Sequence, residues 1–169
     1  IGALFKPGVS LGGKIVAFLK MMKVYALWYP TLWIPVLSAS QFGMDARLNR
    51  HMRTVARISK KMSRTLFHKM AIHQKKMAEK QLLINRFVEI GTELFIMSAA
   101  CSYADSLKAD GPNAANAVEL ADYYCKEATI RIKKLFSDIG RNNDAATLKL
   151  NQRFMQGEFE WLEDEIAKS

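Results

Sequence analysis

Leu83, Phe87, Ile90, Leu94, Met97, Cys101 and Ala104 follow one another at alternating steps of four and three residues. Only an α-helix brings such a series onto one side, because residues three and four apart share a helical face. Val118, Ala121, Cys125, Ala128, Ile132, Leu135 and Ile139 keep a similar rhythm, and so do Leu48, Met52, Val55, Ile58, Met62, Leu66 and Met70. Three apolar seams of this kind have to be buried against one another. A further stretch, from about Asp144 to Ile166, places Leu148, Met155, Phe159, Leu162 and Ile166 inward. No strand pattern appears and the links are short. The expected fold is all-α, an antiparallel bundle of about four helices. An apolar, proline-broken segment precedes it, which divides the chain into residues 1–43 and a bundle domain over residues 44–169.

The spacing predicts helices over residues 44 to about 76, 79 to 108, 112 to 140 and 144 to 166. Pro112 stands at an N-terminal position of the third, where its missing N–H costs nothing. Gly140 is placed to close that helix as a C-cap, and Asn143 or Asp144 to cap the fourth. The first turn is poorly marked, since "QKKMAEK" holds neither Gly nor Pro. Cys101 and Cys125 sit at unequal distances from the second turn. At about 1.5 Å per residue the mismatch is about 7.5 Å along the axis. Both therefore read as small buried residues rather than a disulfide. With so few cysteines a reducing compartment is expected.

The chain of 169 residues carries a formal charge of +9, spread unevenly. Residues 1–43 hold four lysines and no acid, and residues 44–80 hold eleven Lys and Arg against Asp45 and Glu79. The remainder is net acidic. Such asymmetry points to an anionic partner on the N-terminal side. Arg47, Arg50, Arg53, Arg57, Lys60, Lys61 and Arg64 lie opposite the apolar seam of the first helix, with no acid between Arg47 and Lys76. This face suits anionic lipid, at about 1 kcal/mol per basic residue near the surface. Nucleic acid suits it less, because no aromatic residue interleaves the face and no recognition fold is visible.

"KVYALWYPTLWIPVL", residues 23–37, holds two tryptophans, two tyrosines, two prolines and one charge, at its first residue. Residues 14 to 29 read as helical, and Pro30 and Pro35 then break any regular helix. Lys20 and Lys23 interrupt the apolar run, and a charge at the bilayer centre costs roughly 2.5–3.5 kcal/mol. A segment lying in the membrane interface fits better than a span. Lys14, Lys20 and Lys23 would meet the headgroups, with Tyr25, Trp28, Tyr29 and Trp33 at the boundary. Packing on another domain explains the same residues equally well. Residues 1–13, with Pro7 and four glycines, read as irregular.

The residues offer little catalytic chemistry. His68 and His73 are five apart and share no helical face, and no carboxylate pattern accompanies them. Gly12–Gly13 is too short for a phosphate loop, and no nucleophile elbow appears. Glu89 and Glu93 are one turn apart but lack a Glu-x-x-His on a partner helix, so they read as solvated or salt-bridged. No catalytic, cofactor-binding or metal-ligating residue is expected in this chain. It starts at Ile1 and shows no cleavable signal pattern, which reads as a fragment or processed form.

"HQKKMAEKQLLINRFVEIGTELFIMSAACSYADSL" (residues 73–107) and "AVELADYYCKEATIRIKKLF" (residues 117–136) carry a resemblance. With the phrase Gln81, Leu82, Leu83, Arg86, they are similar to the extra C-terminal helical domain of very-long-chain acyl-CoA dehydrogenases. These are flavoenzymes of fatty-acid β-oxidation. The resemblance covers residues 44–166, and residues 1–43 fit the linker between core and bundle. It implies a parent oxidoreductase that uses FAD and holds its catalytic glutamate in a core outside this chain. It also implies that the bundle packs on that core, replacing the second dimer of tetrameric relatives, so that a homodimer is expected. The linker's membrane role in that family implies a protein peripheral to an inner membrane, on the mitochondrial matrix side or the bacterial cytoplasmic side. The alternative is a free-standing basic helical module that binds anionic lipid or nucleic acid.

Overall fold

The computed structural model describes residues 23, 25–34, 43–109 and 111–162. Lys14, Lys20, Pro35 and Ile166, with the irregular stretch expected over residues 1–13, lie outside the described residues. Four helices carry the fold: α1 (Ala46–His73), α2 (Gln81–Ser106), α3 (Pro112–Gly140) and α4 (Asp144–Met155). Among the described residues there is no strand. The all-α bundle read from the seams is the observed architecture.

α1 starts at Asp45, whose carboxylate accepts the Arg47 N–H at 2.8 Å. This satisfies one of the four N–H groups that a helix start leaves unpaired. α1 ends at His73, and the unmarked turn is made by Gln74 at φ 47°, followed by a 3-10 helix over Gln74–Glu79. A glutamine at positive φ with ψ −123° costs about 1–3 kcal/mol, and because the residue is not glycine, composition did not betray this turn. A second 3-10 turn, Leu107–Ala109, ends α2, and Gly111 at φ 57° leads into Pro112 at the start of α3.

α2 and α3 pack as an antiparallel hairpin. Cys101 faces Cys125 and, further from the turn on both helices, Glu93 faces Arg131. α1 lies against both. It runs parallel to α3, since His51 meets Asp122 and Lys61 meets Phe136. The seven predicted α2 seam residues are its buried residues. On α3, Val118, Ala121, Cys125, Ala128, Ile132 and Ile139 are buried and Leu135 is half-buried. On α1 only Leu48 of the seam is fully enclosed; Met52, Val55, Ile58, Met62 and Leu66 pack on the core edge, and Met70 is exposed. α1 therefore covers the hairpin, and each enclosed Leu or Ile contributes about 1.5–3 kcal/mol.

Three boundary expectations change. Gly140 is the last helical residue, not a left-handed cap; Arg141 follows in extended backbone and its N–H donates to Ser137 O at 2.8 Å. Neither Asn143 nor Asp144 caps α4 through its side chain, and Asn142 Oδ1 accepts the Asp144 N–H instead. α4 ends at Met155, and after a turn the chain is helical again at residues 160–162, beyond which it is not described. Gly157, at φ 78°, closes α4 in a Schellman motif, with Gly157 N–H donating to Phe154 O and Glu158 N–H to Arg153 O. The inward placement of Leu148 and Met155 fails: both are exposed, and α4 has no buried residue.

Candidate functional site

The N-terminal aromatic segment and the basic face of α1, treated separately in the sequence, meet each other. Residues 25–31 are helical and lie across the C-terminal half of α1. Phe67 is their anchor: the rings of Tyr25, Tyr29 and Trp28 stand 5.4, 5.4 and 6.1 Å from it. Tyr29 Oη and His68 Nε2 share a hydrogen bond of 2.7 Å. Leu32 is buried beneath the turn that follows.

Two of the seven predicted basic residues hold this segment. Lys60 Nζ donates to the carbonyls of Thr31 (3.2 Å) and Ile34 (2.8 Å). Arg64 donates to the carbonyl of Leu32, and its guanidinium lies 4.6 Å from the centre of the Trp33 ring. Carbonyls left over at a helix C-terminus carry partial negative charge, so cations are the natural cap. Lys60 and Arg64 are half-buried and committed. Arg47 pairs with Asp45 at 3.4 Å, and Lys61 stacks 4.2 Å from the Phe136 ring. Arg50, Arg53 and Arg57 are exposed, with no ion pair among the described residues. The face open to an anionic partner is therefore narrower than the seven-residue stripe.

Of the predicted membrane-contact residues, Lys14 and Lys20 lie outside the described residues. Lys23, Trp28 and Trp33 are exposed, while Tyr25 and Tyr29 are half-buried on α1. Leu27 and Ile34 are exposed beside them. The segment thus has one side on its own bundle and another, apolar, side open. Phe67 was not singled out in the sequence, and His68 was weighed only as a metal ligand. The available signal was an aromatic residue next to, but off, the apolar seam of α1.

A second set of polar residues ties the bundle together. Arg131 and Tyr124 both donate to the Glu93 carboxylate, at 2.5, 3.0 and 3.0 Å. The hydrogen bonds from Arg131 hold the Glu93 carboxyl below its ordinary value. Asp122 takes Lys126 at 2.6 Å and the buried His51 at 2.7 Å, and both partners lower its pKa. Arg86 grips Asp144 with two bonds, of 2.8 and 2.6 Å, joining α2 to the start of α4 and lowering the Asp144 pKa. Glu89 accepts from Asn85 at 2.7 Å. Glu89 and Glu93 are thus committed within the bundle rather than paired for a metal.

A groove between α2 and α3 is lined by Asn85, Arg86, Glu89, Glu93, Arg131 and Asp138. It does not fit a flavin. Arg86 and Arg131, which would face a pyrophosphate, are already bound to Asp144 and Glu93. None of the described left-handed glycines forms a Gly-rich turn into a helix beside the groove.

One side of α2 has no counterpart in the three-seam scheme. Val88, Phe95 and Tyr103 repeat at seven- and eight-residue spacing on the side away from the core, and Phe95 is 74% exposed. Leu120, Tyr123 and Ile130 are similarly exposed on α3. α2 is thus apolar on two sides, one of which the bundle covers.

The family described as ACAD9/ACADV, C-terminal domain, matches residues 46–156. The chain belongs to this family. The match begins at the first residue of α1 and ends just past α4, so α1 to α4 are the family's domain. Probable acyl-CoA dehydrogenase FadE10 proteins of Mycobacterium bovis and Mycobacterium tuberculosis are 35% identical over 170 residues. That alignment covers 98% of this chain and 26% of each relative, so the chain spans about a quarter of their length. No solved structure matches.

Proposed function

We propose that this chain is the C-terminal helical domain of an FAD-dependent acyl-CoA dehydrogenase of fatty-acid β-oxidation acting on long acyl chains. Its own work is to brace the catalytic core and to hold the enzyme at an anionic membrane surface. The observation that carries this reading is the span of the match: nearly the whole chain aligns with a quarter of each acyl-CoA dehydrogenase. The apolar side of α2 supports the bracing role. Val88, Phe95 and Tyr103 form the kind of exposed patch that marks a protein contact. The open side of the aromatic segment, with Leu27, Trp28, Trp33 and Ile34, supports the membrane role. No described helix is long and apolar enough to cross a membrane. A peripheral attachment, on the cytoplasmic side in a bacterium, is the form this reading takes.

Flotation with anionic vesicles tests the membrane role. The intact protein should float, and the protein lacking residues 14–37 should stay in the dense fraction. Flotation of the deleted protein would remove the assignment. The bracing role is tested in the full-length enzyme by Phe95→Asp. Loss of protection from proteolysis at the core–bundle junction is expected, and unchanged protection would refute it.

A further inference from the structure

Cys101 and Cys125 are both free, both wholly enclosed, and face each other across the α2–α3 seam with Sγ atoms 3.7 Å apart. The axial mismatch expected from the sequence is absent. Part of the difference lies in the Leu107–Ala109 turn, because a 3-10 turn advances about 2.0 Å per residue rather than 1.5 Å. Cys125 Sγ also reaches Met97 O at 3.9 Å. Ala104, Ala121 and Ala128 lie about one turn away in the same core, beside the larger Met97.

We propose that this pair is a modification site, at which a small hydroperoxide joins Cys101 and Cys125 into a disulfide that staples α2 to α3. The first step consumes one peroxide: a thiolate attacks its outer oxygen, the O–O bond breaks, and the sulfur becomes a sulfenic acid as water or alcohol leaves. The second thiol then attacks that sulfur, the S–O bond breaks and water leaves. Two thiols lose two electrons and two protons, and the peroxide takes both. Closure to a bond of about 2.05 Å needs side-chain rotation and a small approach of the helices, not a change of register. The hydrogen bond to Cys101, together with burial, holds the Cys125 thiol well above its ordinary pKa. Both sulfurs are wholly enclosed, so the pair is silent towards bulky reagents while the bundle is closed and answers only to an oxidant small enough to enter.

The test treats the full chain with hydrogen peroxide and maps peptides without reduction. Met155, 90% exposed, gains an oxygen and serves as the internal sign that oxidant was present. The expected result is a peptide pair joined through Cys101 and Cys125, about 2 Da lighter than the sum of the two and cleaved by dithiothreitol. The oxidised protein should melt about 10 °C higher, since the link closes a loop of 24 residues of sequence separation. Cys101→Ser and Cys125→Ser should each show no link and no rise in melting temperature on oxidation, each compared with its own untreated protein. Oxidised Met155 with both thiols unlinked would overturn the proposal. So would oxygen adducts on separate cysteines, a disulfide between two chains, or a link that lowers the melting temperature.

Discussion

Asp144→Asn should loosen one helix and leave the rest of the bundle almost untouched. Arg86 holds Asp144 through two short bonds, with side chains 17% and 24% exposed. A paired, charge-assisted bond at this depth contributes about 1–2 kcal/mol after allowance for solvent screening. α4 has no buried residue, so this clamp carries much of what keeps it seated. Losing it should speed amide exchange over residues 144–155 by roughly 5–30-fold. The core of α1, α2 and α3 loses nothing, and the global melting temperature should fall by no more than about 2 °C. Hydrogen exchange followed by mass spectrometry reads both effects at once. Arg86→Met should reproduce them, and the double variant should add little, as one interaction cannot be lost twice. Exchange that rises across α2 and α3 as well would refute the reasoning, as would unchanged exchange in α4.

Other outcomes follow from the same geometry. Ile90→Ala should cost about 2–5 kcal/mol in urea unfolding, because Ile90 is wholly enclosed, whereas Phe95→Ala should stay within about 0.5 kcal/mol in the isolated chain. Lys60→Met with Arg64→Met should remove the cap on residues 25–34, raising their amide exchange by roughly tenfold without unfolding α2 or α3. Acid should weaken the fold through Glu93, Asp122 and Asp144, whose carboxyls are held below their ordinary values. The unfolded chain then binds more protons than the folded one at low pH. The contribution is present above the ordinary carboxylate range and is lost as pH falls through the lowered folded values, so the urea midpoint should drop as pH falls below about 4.

The core was legible because burial imposes a period on the sequence. Every α2 residue in the 4-3 seam is enclosed, from Leu83 to Ala104. What the period cannot reveal is a position where the backbone departs from helix without a usual marker. Gln74 takes the left-handed region that glycine normally supplies, so the first turn carried no sign. Gly157 did carry one, but the apolar rhythm through Phe159 and Leu162 continued past it and drew a single helix across a turn. The candidate site was half legible. Aromatic and basic stretches each stood out by composition, yet their contact depends on Phe67, Lys60 and Arg64 folding against residues about 30 positions away, and no local pattern encodes that distance. The second apolar side of α2 was hidden for a related reason. A helix that is apolar on two sides gives a clear seam on one and reads as noise on the other.

The central claim is that this bundle belongs to a larger flavoenzyme. The most direct measurement is the size and colour of the natural protein, purified from its source with an antibody raised to the bundle. The account predicts a polypeptide several-fold longer than this chain, yellow, with flavin absorbance that bleaches on addition of a long-chain acyl-CoA. A colourless protein of about this length would contradict it.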